Sequence, residues 1–394
     1  MRPLEGIRVL EVGQLLAGPF AGCLLGYFGA EVIKVEAPGQ GDPIRQWRLV
    51  HDGTSLWWRS LARNKKCITL DLRTEQGQDI ARRLAGEVDV LIENFKPGTM
   101  ERWGLGPDDL AGDGRLIYTR ISGYGQTGPY SDRPGFASVC EAVGGLRFLS
   151  GFPGDIPTRH NLSLGDSLAG MHAAMGVLLA LLQRERGDGE GQTVDVAITE
   201  SVFNMLEAVI PEYDFFGEVR QPAGTTITGI VPTNAYRCRD GRLIVLGANS
   251  DSIFKRLMIA IDRPELAEDS RFASNPGRVE RQAELDDVLA VWAAGLDASD
   301  VIDRLTKAGV PVGPVNDVRD IMTDPHFRSR DLFEQVDVDG WPTKVPAILP
   351  KLDRTPGRTT WAGADLGAHN DEVYGGLLGL SDDEIEALRV AEVI

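Results

Sequence analysis

The sequence predicts an α/β fold, with a doubly wound parallel sheet in a large domain and a smaller α+β domain after it. Three observations lead to this fold class. The chain opens with a strand, a helix and a second strand in quick succession. Strand-like and helix-like stretches keep alternating over the first ~150 residues. A Gly-, Pro- and Thr-rich segment then precedes a β-hairpin.

The opening βαβ unit is inferred from apolar runs separated by glycines. Ile7–Val12 predicts a strand, Gly13–Pro19 a tight loop, Phe20–Phe28 a short helix capped at Gly29, and Glu31–Glu36 a second strand. Strands joined through a helix pair in parallel, because the crossover returns the chain to the same end of the sheet. This unit therefore predicts a parallel sheet.

Later elements continue the alternation. Apolar runs bounded by turn residues predict further strands at Cys67–Leu72, Val88–Glu93, Leu116–Ile121 and Thr193–Ile198. Helical patterns predict helices over Glu75–Leu84 and Ser167–Gln183, the second of them long and apolar. Thr199 follows the last of these strands and is expected to cap the next helix.

The second domain begins where the composition changes, at Gly217–Pro232. It opens with a hairpin through Asp240-Gly241, and its helices are predicted at Asp251–Ile261, Val279–Leu296 and Ser299–Ala308. A Pro-rich linker, Pro342–Thr360, precedes a last helix that starts at the capping box Ser381–Glu384. The predicted domains are residues 1–217 (large), 218–330 (small) and 331–394, a C-terminal segment that returns to the large domain.

Charge and cysteine usage narrow the class of partner. The net charge of −17 repels polyanions, so neither nucleic acid nor an anionic membrane is an expected partner. The longest apolar run, Ala173–Leu182, is shorter than the ~20 residues that a membrane span needs, and Met1–Val12 shows no signal-peptide pattern. The scattered cysteines Cys23, Cys67, Cys140 and Cys238 fit a reducing cytoplasm. The histidines show no metal-ligand spacing, so no metal is expected.

A basic cluster stands out in this acidic chain. Arg59, Arg63, Lys65 and Lys66 lie in one short segment, and Arg73, Lys96 and Arg102 follow. Guanidinium and ammonium groups bind phosphates through charge-assisted hydrogen bonds, although such a run also suits a solvated surface. Tryptophans at 47, 57, 58 and 103 lie nearby and provide either flat binding surfaces or core residues.

Two positions each have two interpretations. The Gly13–Gly18 loop either directs backbone N–H groups at a phosphate or only turns against the sheet, and its glycine spacing departs from the nicotinamide-binding fingerprint. Asp166, at the mouth of the long helix, is either the N-cap or a carboxylate kept ionised by the positive end of the helix dipole. The residue pattern alone leaves both questions open.

Taken in order, a series of motifs resembles the class III CoA-transferase family (formyl-CoA transferase and L-carnitine dehydratase-like enzymes) over essentially the whole chain. The motifs are Ala17–Pro19, Gly29–Glu36, Gly41-Asp42, Arg63–Lys66, Glu93–Phe95, Pro97-Gly98, Ser122–Pro129, Gly165-Asp166, Gly189–Gln192, Gly309–Pro311 and Leu366–Asn370. No single motif is decisive, but their order is highly specific.

The resemblance implies a Rossmann-like large domain that binds CoA, a smaller domain and two chains interlocked as a homodimer. It implies acyl-CoA and a small carboxylic acid as substrates, no metal, and Asp166 as the catalytic nucleophile. It assigns CoA binding to Leu70, Asp71, Leu72, Arg73, Asn94, Phe95, Lys96, Arg102, Ser122, Gly123, Tyr124 and Gly125. It assigns the substrate pocket to Gln14, Leu16, Ala17, Trp47 and Trp57. Formyl-type enzymes carry a glutamine where this chain has Leu16, and a glycine-rich flap that aligns loosely with Gly224–Pro232.

Within that family, several segments look like those of enzymes that use succinyl-CoA and a C4–C5 dicarboxylate such as citramalate, malate, mesaconate or itaconate. These segments are Gly53–Trp58, Pro134–Phe136, Gly144–Arg147 and Gly247–Arg256. The second carboxylate of such an acid needs a cation when buried, and we assign it to Arg147, with Arg48 and Arg159 as alternatives.

Three other functions are alternatives to CoA transfer. A racemase or epimerase of the family would need a histidine at the position of Phe136, as a second acid/base. A nicotinamide-dependent oxidoreductase and a non-catalytic acyl-CoA binding module are the alternatives of other kinds.

Overall fold

The computed structural model of the chain describes residues 1–112 and 114–394. These residues form two compact units. The first unit comprises Met1–Leu146, His160–Glu207 and Arg328–Ile394, and the second comprises Arg147–Arg159 and Ala208–Phe327. The C-terminal residues therefore lie in the same unit as the beginning of the chain.

Strands and helices alternate along most of the described chain. The strands are β1 (Arg8–Glu11), β2 (Glu31–Glu36), β3 (Val50–His51), β4 (Thr54–Ser55), β5 (Lys65–Thr69), β6 (Val90–Glu93), β7 (Ile117–Ser122), β8 (Thr193–Ala197), β9 (Thr233–Arg237), β10 (Leu243–Gly247), β11 (Val312–Pro314), β12 (Phe333–Val338) and β13 (Trp341–Pro346). The α-helices are α1 (Ala17–Tyr27), α2 (Leu56–Leu61), α3 (Glu75–Ala85), α4 (Thr99–Arg102), α5 (Ala137–Val143), α6 (Leu164–Arg186), α7 (Ile198–Phe203), α8 (Val209–Phe216), α9 (Asp251–Ala260), α10 (Pro264–Glu268), α11 (Asn275–Glu280), α12 (Gln282–Ala294), α13 (Ala298–Lys307), α14 (Val318–Thr323), α15 (Pro325–Ser329) and α16 (Asp382–Val390). Short 3-10 helices span Pro43–Gln46 and Ser270–Phe272, and a π-helix spans Glu372–Leu377.

In the described part of the chain, six strands form the sheet of the first unit, in the order β5-β2-β1-β6-β7-β8. All neighbours run parallel, and Leu10 of β1 lies opposite both Ile33 and Leu91. Residues of α1 and α6 form the core on one face, and residues of α3 and α16 form it on the other. Because both faces are covered, strands β1, β2, β5, β6 and β7 are buried along nearly their whole length. The predicted α/β fold with a parallel sheet is confirmed.

The strand order reverses between β1 and β6. From β1 the chain moves outward through β2 to β5, and it then crosses back to β6 and moves to the other edge through β7 and β8. The loops after β1 and β6 therefore leave adjacent strands in opposite directions. The crevice between such loops is where open α/β sheets bind their ligands.

The second unit has a three-stranded antiparallel sheet in the order β11-β10-β9 among its described residues. The predicted hairpin pairs Leu243 with Arg237 and Gly247 with Thr233. Its core comes from the sheet and from helices α9, α12 and α13, with Phe254, Leu289 and Leu305 fully buried. These helices and strands give this unit an α+β composition.

Several predicted element bounds are wrong at one end. Helix α1 begins at Ala17 and not at Phe20, with Pro19 in its first turn, where no backbone N–H is needed. Strand β5 ends at Thr69 and not at Leu72, because the N–H of Asp71 donates to the carbonyl of Val393 in place of a sheet neighbour.

Three further elements differ from the prediction. The helix predicted over Val279–Leu296 is divided at Arg281 into α11 and α12. Thr199 is not an N-cap: it lies inside α7, where its hydroxyl donates to the carbonyl of Gly123 at 2.7 Å. The predicted linker Pro342–Thr360 begins with most of strand β13.

Helix α6 is long and apolar enough, by length and composition, to cross a membrane, with a mean hydropathy of 1.4 over its most apolar window. It is the one such helix in residues 1–112 and 114–394. One face, with Ala169, Ala173 and Val177, packs into the core beside the parallel sheet. This packing is typical of the core helix of an α/β unit.

Candidate active site

Asn94 joins the two loops at the switch point of the sheet. Its side-chain amide donates to the carbonyl of Gln14 and accepts from the N–H of Gln14, both at 2.7 Å. The Cβ of any larger residue at position 13 would lie 2.7 Å from the Asn94 side-chain oxygen, so the close approach requires Gly13. The loops after β1 and β6 are thereby held in a fixed relation.

A buried charge cluster supports the same loop from behind. Lys34 donates to the carbonyl of Gly13 and pairs with Asp42 at 3.1 Å. Both carboxylate oxygens of Asp42 accept from the N–H of Leu15, at 3.1 Å each. Leu15 has a φ of 64°, a left-handed conformation that is costly for a leucine. Its N–H bond to Asp42 helps to hold this conformation.

Asp166 is the third residue of helix α6 and is half-buried. The N-cap is Ser163, so the structural interpretation of Asp166 as the capping residue is wrong. A carboxylate in the first turn interacts favourably with the positive end of the helix dipole. The preceding Gly165 is closely packed, because a Cβ there would lie 3.2 Å from both Glu141 and Ile198.

Two contacts bring the start of α6 to the switch-point crevice. Gly170, one turn after Asp166 on the same helix face, is packed against α1: a Cβ there would lie 2.7 Å from the carbonyl oxygen of Ala17. On the other side, Cys140 lies 3.4 Å from the carbonyl oxygen of Gly123. Burial, and with it the charge of Asp166, raises the pKa of the Cys140 thiol. Asp166 is therefore close to the loop after β7 and on the helix face that meets α1.

The residues assigned to CoA lie after the carboxyl ends of β5, β6 and β7. Leu70 and Leu72 are buried, so only their backbone is available to a ligand. Asp71 pairs with Arg73, whose side chain is 76% exposed. Phe95 packs edge-on against Trp103 at 5.3 Å. The remaining cations of this group, Lys96 and Arg102, are exposed.

The turn Ser122–Gly125 begins at the last residue of β7 and is closed by the Ser122 side chain. The Ser122 hydroxyl accepts from the N–H of Gly125 at 2.9 Å. Gly123 has no room for a side chain, because a Cβ there would lie 3.0 Å from the Cα of Gly135. Tyr124 packs edge-on against Tyr130, with ring centroids 5.9 Å apart.

The residues assigned to the substrate differ in accessibility. Leu16 and Ala17 are buried, so they present backbone groups, and Gln14 is half-buried. Trp47 is 42% exposed and faces Trp57, with ring centroids 6.2 Å apart.

Three further features were singled out from the sequence. Arg147 and the segment Gly224–Pro232 belong to the second unit. Phe136, where a racemase would need its histidine, is 71% exposed and has no group that transfers a proton.

The interpretation of Arg59, Arg63, Lys65 and Lys66 as a phosphate-binding patch is wrong. Arg59 and Arg63 are buried and donate to backbone carbonyls of the C-terminal segment at 2.8 and 2.7 Å. Lys65 and Lys66 pair with acids of β1 and β2. The four cations hold the first unit together.

The structural roles of several residues that shape the site were not predicted from the sequence alone. Lys34, a cation in the middle of an apolar strand, was a signal for a buried ion pair. Gly170, a glycine inside a helix, was a signal for close packing. Glu93 gave no such signal: burial raises its pKa to about 7, although Arg120 bonds it at 2.9 Å. Its carboxylate also accepts from the N–H of Phe95 at 2.7 Å.

Known proteins resemble this chain over its full length. Residues 4–370 match the sequence model of CoA-transferase family III. The succinyl-CoA–D-citramalate CoA-transferase of Chloroflexus aurantiacus is 48% identical, over 100% of this chain and 98% of that protein. The succinyl-CoA–L-malate CoA-transferase alpha subunit of Chloroflexus aurantiacus is 42% identical, over 100% and 92%. The crystal structure of a CAIB/BAIF family protein from Brucella suis superposes with a TM-score of 0.84 at 32% identity, over 95% of this chain and 99% of that one.

Proposed function

The chain belongs to CoA-transferase family III, and we propose that it transfers CoA from succinyl-CoA to a C4–C5 dicarboxylate such as citramalate, malate, mesaconate or itaconate. The observation that carries this proposal is the 48% identity, over the whole chain, to a protein named for succinyl-CoA and D-citramalate. The 42% identity to a protein named for L-malate supports the same class of acceptor.

We propose that Asp166 acts as the nucleophile. Its carboxylate attacks the thioester carbonyl of succinyl-CoA, which forms a succinyl–aspartyl anhydride and releases CoA thiolate. The thiolate then attacks the aspartyl carbonyl, which forms an aspartyl-CoA thioester and releases succinate. Splitting the transfer through covalent intermediates divides one difficult step into easier ones.

The second half of the reaction mirrors the first. The carboxylate of the acceptor attacks the aspartyl-CoA carbonyl, which forms an acceptor–aspartyl anhydride and releases CoA thiolate. The thiolate attacks the acceptor carbonyl, which gives acceptor-CoA and restores the carboxylate of Asp166. An anhydride and a thioester both stay activated enough for this exchange, whereas an ester with serine would not.

Each group of site residues has a proposed role in this scheme. Arg73, Lys96 and Arg102 bind the CoA phosphates, supported by their exposure. The backbone of Leu70–Leu72, the Asn94-Phe95 turn and the Ser122–Gly125 turn line the CoA groove. Gln14, Leu16, Ala17, Trp47 and Trp57 line the acyl pocket. The sequence assigns the distal carboxylate to Arg147, with Arg48 and Arg159 as alternatives.

We further propose a cytoplasmic homodimer of interlocked chains. The support for the dimer is the outward face of α6. Five apolar side chains on this face are between 41% and 60% exposed: Met171, Met175, Leu178, Leu179 and Leu182. An apolar stripe of this size is rarely left in water by a monomer.

The proposed reaction is tested with succinyl-CoA and a panel of carboxylic acids, with the CoA products identified by mass spectrometry. Hydroxylamine or borohydride added during turnover should label the peptide that contains Asp166. Asp166→Asn, which keeps the shape and removes the nucleophile, should abolish both transfer and labelling and leave CoA binding within a few-fold. Asp79→Asn, on the exposed side of α3, is the control and should behave as the parent enzyme. Retained turnover in Asp166→Asn would contradict the covalent scheme.

A further inference from the structure

We propose that Arg48 binds the carboxylate of the substrate that is not being activated, and so selects dicarboxylic acids. This inference rests on the proposed function, and it names a residue of the first unit that would select the substrate class. A guanidinium forms two parallel hydrogen bonds with a carboxylate, a geometry that a lysine cannot reproduce.

The Arg48 side chain has a defined position on an aromatic surface. Its guanidinium carbon lies 4.1 Å from the centroid of the Trp57 ring. The neighbouring Trp47 is held through its carbonyl, which accepts from the Ser55 hydroxyl at 2.6 Å. Stacking on Trp57 covers one face of the guanidinium and leaves its N–H edges available to an anion.

The backbone at Arg48 is strained. Its φ of 62° lies in the left-handed region, which glycine adopts freely and a long side chain does not. Such outliers concentrate at functional sites, where the surrounding structure holds them. The left-handed backbone at Arg48 accompanies the placement of its side chain over Trp57.

Arg48 also differs from the buried arginines that flank it in sequence. Arg45 pairs with Glu36 at 2.7 Å, and Arg59 pairs with Asp365 at 2.9 Å. Within residues 1–112 and 114–394, no carboxylate lies in ion-pair range of Arg48. In a chain with a net charge of −17, an arginine without an acidic partner is well suited to bind an anionic ligand.

Two series of residue contacts connect Arg48 to the candidate active site. Asp42 bonds Leu15 and also caps the 3-10 helix Pro43–Gln46, which leads directly to Trp47 and Arg48. Trp57 packs in one apolar cluster with Leu16 and Phe20.

The second series of contacts, which runs from Trp57 to Phe20, continues into helix α6. The Cβ of Phe20 would lie 3.1 Å from a Cβ at Gly170, one turn from Asp166. The segment Trp47–Trp57, which carries Arg48, therefore packs against the part of α1 that contacts the helix of Asp166.

The chemistry of the two substrates explains why one cation would serve both half-reactions. The succinyl group of the donor and the dicarboxylate acceptor each present one free carboxylate beside the carbonyl that reacts. A buried carboxylate without a partner is strongly disfavoured. A cation at the far end of the acyl pocket would therefore favour dicarboxylates on both sides of the exchange.

The test compares acceptors that differ in one carboxylate, and it uses the full-length enzyme for the parent and for every variant. Arg48 is exposed in the single chain, and Arg48→Leu should lower kcat/KM for dicarboxylate acceptors by roughly 10-fold or more, because it removes a charge-assisted hydrogen-bonded pair with the second carboxylate. It should leave a monocarboxylate of equal length unchanged or improved. Arg48→Lys should fall between the two, because it keeps the charge and loses the fork. Arg82→Leu, which removes an exposed arginine from α3, is the control for the change in net charge.

Each outcome separates the inference from the proposed function. If the parent enzyme transfers CoA from no donor, the proposed function fails. If the parent enzyme prefers dicarboxylates and Arg48→Leu keeps that preference while Arg147→Leu loses it, the role belongs to Arg147 and the inference is overturned. An equal loss for both acceptor classes in Arg48→Leu, with an unchanged melting temperature, would also overturn it.

Discussion

Lys34 and Asp42 form an ion pair at 3.1 Å in which neither side chain has any exposed surface. Although burial opposes the charge, Asp42, Glu11 and Glu36 together hold the pKa of Lys34 above its ordinary value. The pair has a clear structural task, because Lys34 bonds the carbonyl of Gly13 and Asp42 bonds the N–H of Leu15. The ionised pair thus fixes the loop at the switch point of the sheet.

The first prediction concerns the stability that depends on this pair. Asp42→Ala should cost about 3–5 kcal/mol in the free energy of unfolding, because it leaves Lys34 charged, buried and short of a partner. The double variant Lys34→Met, Asp42→Leu should cost less than the sum of the two single changes. Asp79→Ala removes an exposed ion pair and should have little effect. Urea unfolding measures the parent, Asp42→Ala, Asp79→Ala, the double variant and its two single variants Lys34→Met and Asp42→Leu. Additive costs of these two single changes would show that the two side chains are independent.

The sequence predicted the sheet well and the basic cluster poorly, for related physical reasons. The run Glu31–Glu36 contains its own strand signal, and the structure gives β2 the same bounds. The destination of a charged side chain is not encoded locally. Arg59 bonds the carbonyl of Gly363, more than three hundred residues away, and only the return of the C-terminal segment creates that partner.

The candidate site also divides into a part that local sequence predicts and a part that depends on the fold. The position of Asp166 at a helix start was predicted from its neighbours in sequence. The capping residue was not, because the N-cap is Ser163. The bridge from Asn94 to Gln14 depends on the order of strands in the sheet, which single-sequence patterns do not specify. The residues proposed to contact the ligand come from the family resemblance, whereas those that hold the loops became apparent only from three-dimensional contacts.

The second prediction concerns Glu93 and pH. Burial raises its pKa from 4.5 to about 7, so the folded protein binds a proton that the unfolded chain has released. Stability therefore falls as the pH rises from about 4.5 to 7. This group alone should lower the free energy of unfolding by about 2 kcal/mol between pH 5.5 and 8.5.

Glu93→Gln isolates this contribution, because a glutamine does not titrate. Urea unfolding at the two pH values should show a smaller pH-dependent loss in Glu93→Gln than in the parent protein. Glu101→Gln changes the other acid that bonds Arg120, at an exposed site, and is the matched control. An identical pH dependence in the parent and Glu93→Gln would show that Glu93 is ionised throughout this range.

The third prediction separates exposed cations from buried ones. Arg102→Gln or Lys96→Gln should raise KM for every acyl-CoA by roughly 3- to 10-fold, because each contact is a charge-assisted bond to a phosphate. The effect should shrink at high salt, which already screens exposed charges. Arg59→Gln should instead lower the melting temperature, since Arg59 bonds Gly363 inside the first unit. A KM effect confined to one acyl group would assign Arg102 or Lys96 to the acid and not to CoA.

The last prediction concerns the outward face of helix α6. Met171, Met175, Leu178, Leu179 and Leu182 recur at helical spacing and are all exposed in the single chain. A charged residue on this stripe would lose the apolar burial that drives association, at about 25 cal/mol per Å² of buried surface. Leu179→Glu should therefore convert the proposed dimer to a monomer, or prevent its folding if the chains interlock.

Light scattering after size-exclusion chromatography measures the mass, and circular dichroism separates dissociation from unfolding. Val390→Glu places the same charge on an apolar residue of α16 that is 77% exposed, and it should leave the mass unchanged. A parent protein that is monomeric at micromolar concentration would contradict the prediction. So would a Leu179→Glu variant that stays a folded dimer, because the stripe would then face solvent and another surface would join the chains.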